Sequence, residues 1–182
     1  RTRFGYQDFR LEQARVLEAI FRKEDCLAIM PTGGGKSLCY QIPAILNDGL
    51  TLVISPLISL MKDQVDALRL VGIEAAFLNS TLTAAQYAEV MQNLRTGRTK
   101  LLYIAPERLF SQDRQFLDFL RSLRVDLCAI DEAHCISQWG HDFRPEYLTL
   151  SVLKEYFPSA PVAAFTATAA PATQKDIVHK LG

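Results

Sequence analysis

Six short apolar runs, rich in leucine and β-branched residues, punctuate the chain at positions 26–30, 50–54, 75–78, 100–104, 125–130 and 162–166. Each is mostly apolar rather than alternating, the pattern of a strand buried on both faces. Between them the period lengthens. Leu57, Leu60, Met61, Val65 and Leu68 follow helical spacing, and Thr83 with Gln86 makes a capping box ahead of a helix over 87–95. A further helix is predicted over 38–46, although Pro43 inside it conflicts with an uninterrupted hydrogen-bond ladder. Strand and helix therefore alternate. This predicts an α/β fold with a central, mainly parallel sheet covered by helices on both faces and ligands at the carboxyl ends of the strands.

With 182 residues, 49% of them hydrophobic and 22% charged, the chain is sized for one domain with a substantial core, which excludes the disordered and low-complexity classes. Twenty basic residues balance twenty acidic ones, so no global field attracts nucleic acid or acidic lipid, and any nucleic-acid site must be local. No CxxC pair occurs among the four cysteines. Cys26, Cys39 and Cys128 lie in apolar segments as buried thiols do, which points to a reducing cytoplasm. No apolar run approaches the ~18 residues of a membrane span. A chain that opens on Arg1 rather than Met is expected to be an excised piece of a longer protein.

Directly after the first strand comes Pro31, Thr32, Gly33, Gly34, Gly35, Lys36 and Ser37, leading into a helix. Consecutive glycines let backbone N–H groups turn around a phosphate, and the helix start adds its dipole. In such a P-loop Lys36 reaches the β and γ phosphates and Ser37 can ligate magnesium. Met30 stands where the fullest form of the pattern has glycine. The run 127–130 then delivers Asp131 and Glu132 to a strand end on the ligand-bearing edge. Two carboxylates there suit magnesium held by Asp131 through water and Glu132 as the base that orients and deprotonates the attacking water. Lys36, Asp131 and Glu132 are thus the expected catalytic set for nucleotide hydrolysis.

Asp131, Glu132, Ala133 and His134 continue as Cys135, Ile136, Ser137, Gln138, Trp139, Gly140, His141, Asp142, Phe143, Arg144, Pro145, Glu146 and Tyr147. This stretch resembles the RecQ-family DNA helicases, in which a DEAH motif runs into an aromatic-rich loop, and further matches extend from Phe4 to Gly182. The resemblance implies a RecA-like lobe. Phe4, Gly5, Tyr6, Phe9, Arg10 and Gln13 resemble the family's adenine-recognition motif, which assigns nucleotide binding to Tyr6, Arg10 and Gln13; a hydrophobic staple explains Phe4 and Phe9 as well. Ser55, Pro56, Leu57, Ser59, Leu60, Lys62, Asp63 and Gln64 are similar to a DNA-backbone motif, and Tyr103 to Arg108 to another. Ser55, Pro56, Lys62 and Arg108 are the DNA contacts so implied. Asn79 and Ser80 match a third motif, although turn chemistry accounts for them too. Phe165, Thr166, Ala167, Thr168 and Ala169 resemble motif III, where Thr166 and Thr168 would relay nucleotide state.

For the aromatic loop the residues make an argument of their own. Gln138, Trp139, His141, Phe143 and Arg144 sit together in a polar segment beside the carboxylates, and stacking rings with a cation are what non-specific single-strand binding uses. The alternative is a satellite of the core. His134, Cys135 and His141 lack a fourth ligand at usable spacing, so no zinc is expected. The resemblance implies ATP and magnesium, single-stranded and forked DNA, and a monomer working with other repair proteins in the bacterial cytoplasm or nucleoid. It covers one motor lobe, without the second lobe or accessory domains, so 1–182 is expected to bind nucleotide and not to unwind. Rivals are a non-catalytic nucleotide-dependent interaction module and a P-loop kinase or transporter subunit.

Overall fold

The computed structural model describes residues 10–110 and 115–182. Six strands form one sheet, every pair parallel, in the order β1-β6-β5-β2-β4-β3. They are β1 (Cys26–Ile29), β2 (Leu50–Ile54), β3 (Ala75–Leu78), β4 (Leu101–Ile104), β5 (Val125–Ile130) and β6 (Val162–Thr166). All six predicted runs are strands, with ends moved by at most one residue. The sheet is wholly rather than mainly parallel.

Alternation along each strand divides the core in two. Val53, Tyr103, Leu127, Ala129, Ala163 and Phe165 face one layer, closed by α1 (Leu11–Phe21), α2 (Lys36–Leu46) and α3 (Ile58–Leu70). Leu52, Ile54, Leu102, Ile104, Cys128 and Ile130 face the other, closed by α4 (Ala84–Arg95), α6 (Gln115–Arg121), α7 (Leu153–Tyr156) and α8 (Pro171–Leu181). The short α5 (Pro106–Leu109) follows β4 directly. Both faces being covered explains why the strands are mostly apolar and do not alternate.

Helix boundaries follow their local chemistry. The Thr83 hydroxyl accepts from the Gln86 N–H while the Gln86 carboxamide accepts from the Thr83 N–H, closing the box at the start of α4. Helix α2 runs through Pro43 to Leu46. Pro43 forfeits one bond, to the Cys39 carbonyl four residues back, and the ladder resumes beyond it, the Pro43 carbonyl accepting from the Asn47 N–H. Tyr40 packs edge-on against both Tyr103 of β4 and Phe165 of β6, pinning α2 across the sheet. No helix among the described residues is long and apolar enough to cross a membrane.

The strand order fixes where function can sit. At the carboxyl edge, β1, β6 and β5 deliver the P-loop, motif III and the paired carboxylates side by side, while β2, β4 and β3 deliver Ser55, Ala105 and Asn79 along the other half.

Candidate nucleotide and DNA site

The P-loop connects β1 to α2 with Gly33 and Gly35 in the left-handed region, at φ of 75° and 80°. A side chain at Gly35 would place its Cβ 2.2 Å from the Gln13 amide nitrogen, so this approach requires glycine. Arg10 and Gln13, at the start of α1, hold the loop from outside. The Arg10 guanidinium donates to the Gly33 carbonyl at 3.1 Å, and the Gln13 amide donates to the Gly35 carbonyl at 3.3 Å while its oxygen accepts from the Arg10 N–H. Gln13 keeps one amide proton for another acceptor. Tyr6, with Phe4, Gly5 and Phe9, lies outside the described residues. The Lys36 ammonium spans the loop to the Met30 carbonyl at 3.1 Å. Thr32 is exposed at the rim, Gly34 is buried beneath it, and Ser37 opens the first turn of α2. The Leu38 N–H of that turn closes on the Gly35 carbonyl at 3.2 Å, and the helix start brings its dipole to the loop.

At the end of β5 the Asp131 N–H extends the ladder to the Ile54 carbonyl, and the buried Tyr147 hydroxyl donates to the Asp131 carbonyl at 3.0 Å. Burial, followed by the neighbouring Glu132 charge, pushes the Asp131 carboxyl up to about 6 against the opposing pull of Lys36. A carboxylate so poorly solvated fits a divalent cation, which removes both penalties. Glu132 has φ 51° and ψ 44°, left-handed geometry that costs a non-glycine residue about 1–2 kcal/mol. That strain at the functional edge turns the chain into the 3-10 turn Ala133–Ile136.

His134 joins three motifs. Its Nδ1 lies 2.9 Å from the Thr166 hydroxyl and 3.4 Å from a Glu132 carboxylate oxygen. Because the Thr166 hydroxyl spends its proton on the Thr168 carbonyl at 3.1 Å, its oxygen accepts from Nδ1–H, which fixes the tautomer. Burial holds His134 below the usual histidine range and keeps the ring neutral near pH 7. The ring stacks on His141 of the aromatic loop, centroids 4.3 Å apart and planes 18° from parallel. An unbroken set of contacts thus runs from Thr168 through Thr166 and His134 to Glu132 on one side and His141 on the other.

Within the loop, Trp139 is 76% exposed, Gln138 and His141 are exposed, and Phe143 and Arg144 are half-buried. A core satellite would hide its largest ring, so the Trp139 exposure favours the stacking reading. Gly140 makes the turn: a Cβ there would meet the His134 carbonyl at 2.5 Å. Arg144 pairs with Asp142 at 3.1 Å, and the Cys135 thiol donates to the same carboxylate. His134, Cys135 and Asp142 gather within 4.8 Å, but Asp142 is committed to Arg144, and burial pushes the Cys135 thiol up to about 12. These are poor metal donors. A cleft of ≈ 530 Å³, lined by Ile29, His134, Trp139, His141, Thr168 and Thr173, separates motif III from the loop.

The remaining expected DNA contacts are held less openly. The Ser55 hydroxyl is buried and accepts from the Leu57 N–H beside Pro56. Lys62 is exposed and paired along its own helix with Asp66. The Arg108 guanidinium lies over Tyr87 and Phe116 at 5.5 and 5.8 Å, clipping α5 to α4 and α6. Asn79 accepts from the Thr81 N–H and hydroxyl, as a turn residue does. Sequence reasoning missed the parts played by His134 and Tyr147, single polar positions whose partners lie 32 and 16 residues away.

The DEAD/DEAH box helicase family model matches residues 10–177. The ATP-dependent DNA helicase RecQ of Haemophilus influenzae is 57% identical over 178 residues, covering 98% of this chain and 28% of that protein. RecQ of Bacillus subtilis is 51% identical over 180 residues, covering 98% of this chain and 30% of that protein. The chain therefore spans less than a third of the length of either. Among solved structures, the DUF1998 helicase MrfA bound to DNA and AMPPNP superposes with a TM-score of 0.75 at 17% identity, covering 97% of this chain and 26% of that one. The Pyrococcus furiosus Hef helicase domain gives 0.69 at 20%, covering 95% and 36%. These two likenesses concern the fold, which is that of helicase motor domains. With the phosphate loop, the paired carboxylates and the exposed aromatic loop on one sheet edge, and with such close relatives, the chain belongs to the DEAD/DEAH box helicase family as a motor lobe of the RecQ type.

Proposed function

We propose that this lobe binds and hydrolyses ATP for a 3′-to-5′ DNA helicase, which couples hydrolysis to translocation on single-stranded DNA and to unwinding of forked substrates in repair and recombination. The observation that carries the reading is the His134 junction: Glu132, placed to activate water, and His141, in a loop suited to stacking on bases, touch the same imidazole. Its Nδ1–H bond to Thr166 also lets motif III bias the Glu132 position. Lys36 neutralises phosphate charge, the α2 N-terminus binds it, and Arg10 and Gln13 stand beside the loop where the adenine would lie. Ser37 and Asp131 would hold magnesium, which supplies charge neutralisation at the transferring phosphoryl group. Glu132 takes the proton of the attacking water. The arginine that completes phosphoryl stabilisation would come from a second lobe, so 1–182 alone would bind nucleotide without unwinding. The proposed DNA contacts are Ser55, Pro56, Lys62 and Arg108 with Gln138, Trp139, His141, Phe143 and Arg144; a monomer acting in the cytoplasm or nucleoid with other repair proteins fits the reading.

The test uses full-length protein. Glu132→Gln should keep magnesium-ATP affinity and lose turnover at least about 100-fold, the scale of one general base, whereas Lys36→Ala should lose the affinity itself. Single-turnover hydrolysis by Glu132→Gln at the unsubstituted rate, or ATPase that ignores single-stranded DNA, would refute the proposal.

A further inference from the structure

Helix α8 follows β6 after a four-residue connection that carries motif III, and the Gln174 amide ties back to the Ala169 carbonyl at 2.8 Å, so helix and motif are fastened together. One face of α8 meets the root of the aromatic loop. Thr173, Asp176 and Lys180 fall at i, i+3 and i+7, on adjacent turns of that face. The Thr173 hydroxyl donates to the Trp139 carbonyl at 3.4 Å, and the Lys180 ammonium donates to the Ile136 carbonyl at 3.2 Å while paired with Asp176 at 3.1 Å. Between these points the wholly buried Ser137 hydroxyl accepts from the Trp139 N–H, and its interaction with Asp176 holds that carboxyl below its usual range. Three polar anchors within the four residues from Ile136 to Trp139 are more than packing of α8 requires. Ile177 and Leu181 already supply that packing.

We propose that Thr173, Asp176 and Lys180 are positioning residues that clamp the aromatic loop to α8, so that motif III and the exposed Trp139 move as one body. The clamp is a second, mechanical link beside the His134 junction, and it deepens the proposed function by naming what carries motif III displacement to the DNA-contacting ring. None of the three residues is placed to touch nucleotide. They act through the backbone at Ile136 and Trp139.

Trp139 is the single tryptophan of the sequence, so its fluorescence reports this loop alone. Time-resolved anisotropy without DNA measures local nanosecond motion of the ring. Asp176→Ala and Lys180→Met should each raise the amplitude of that local component roughly two-fold, the response of a loop released on this timescale. Magnesium-ATP affinity should not change. Asp176→Asn keeps an acceptor for the Ser137 hydroxyl and should restore most of the rigidity. Lys180→Met retains the apolar stem and carries the test if Asp176→Ala does not fold. Local motion in Asp176→Ala and Lys180→Met equal to that of the unsubstituted chain overturns the clamp. A separate titration with a mixed-sequence single-stranded oligonucleotide should quench Trp139 in the unsubstituted chain. Absence of quenching would count against the DNA reading and leave the clamp to the anisotropy result.

Discussion

Replacing Asp131 with asparagine should stabilise the nucleotide-free lobe while crippling it. The carboxyl ordinarily titrates at 3.8 and is pushed up to about 6 by burial and by Glu132. Below pH 3.8 folded and unfolded chains both carry the proton. Between 3.8 and 6 the unfolded chain ionises while the folded one holds its proton, so stability falls as pH rises through this window; above 6 the full penalty of a buried charge is present. At about 1.4 kcal/mol per tenfold change the penalty reaches about 3 kcal/mol above pH 7 and about half of that at pH 5. Asparagine has the same shape, still accepts from the Glu132 N–H where Asp131 accepts at 3.0 Å, and carries no charge. For 182 residues, unfolding entropy of about 0.4 kcal/mol per kelvin converts 3 kcal/mol into a rise in melting temperature of about 8 °C. Scanning calorimetry of both proteins at pH 5 and 7.5 without magnesium is the assay. The gap should widen with pH, and magnesium-ADP should stabilise the unsubstituted protein far more than the variant. A gap of equal size at both pH values, or an Asp131→Asn protein less stable at pH 7.5, would show that the carboxylate is not held against a desolvation penalty.

Two other outcomes are expected. Trp139→Ala should change stability by less than about 0.5 kcal/mol in chemical denaturation, because the ring is 76% exposed, while abolishing most DNA stimulation of the ATPase in full-length protein; a large loss of stability with stimulation intact would return the loop to the core. Gly35→Ala places a side chain at φ 80° against Gln13 and should cost at least about 1–2 kcal/mol in the same denaturation measurement, together with a weakened magnesium-ATP affinity in calorimetry; an affinity equal to that of the unsubstituted chain would show that Gln13 does not depend on this contact.

The strands and the phosphate loop could be read from the chain because their signals are contiguous: six apolar runs, and seven residues from Pro31 to Ser37 in fixed order. Asp131 and Glu132 could be read for the same reason. His134 is different. Its significance depends on Thr166, which the fold brings alongside only because β6 lies next to β5, and no local pattern encodes that neighbour. The α8 anchors escaped notice because Thr173, Asp176 and Lys180 read as an ordinary solvated face until the loop is seen against it. Arg108, assigned to DNA by resemblance alone, also rests its guanidinium on Tyr87 and Phe116, a packing role that no local pattern announces. Pro43 did not end its helix, which runs on to Leu46 at the cost of one backbone bond.

The position of β6 between β1 and β5 sets a limit on how the lobe can respond to its nucleotide. Ala163 and Ala164 are registered with Cys26 and Leu27 on one side and with Ala129 and Ile130 on the other, and the Met30 N–H still bonds to the Thr166 carbonyl where the ladder ends. The segment 167–169 thus issues from a strip bolted to both neighbouring strands, and the spacing between the phosphate loop and the paired carboxylates is that of two strand intervals, about 10 Å. Such a frame cannot breathe without tearing several backbone bonds. Under the proposed function, differences between nucleotide states would therefore be confined to what lies above the last rung: Lys36, Glu132, Thr168 and the loop carrying Trp139. The sheet serves as a fixed gauge, against which the presence or absence of one phosphate becomes a displacement of its upper fittings alone.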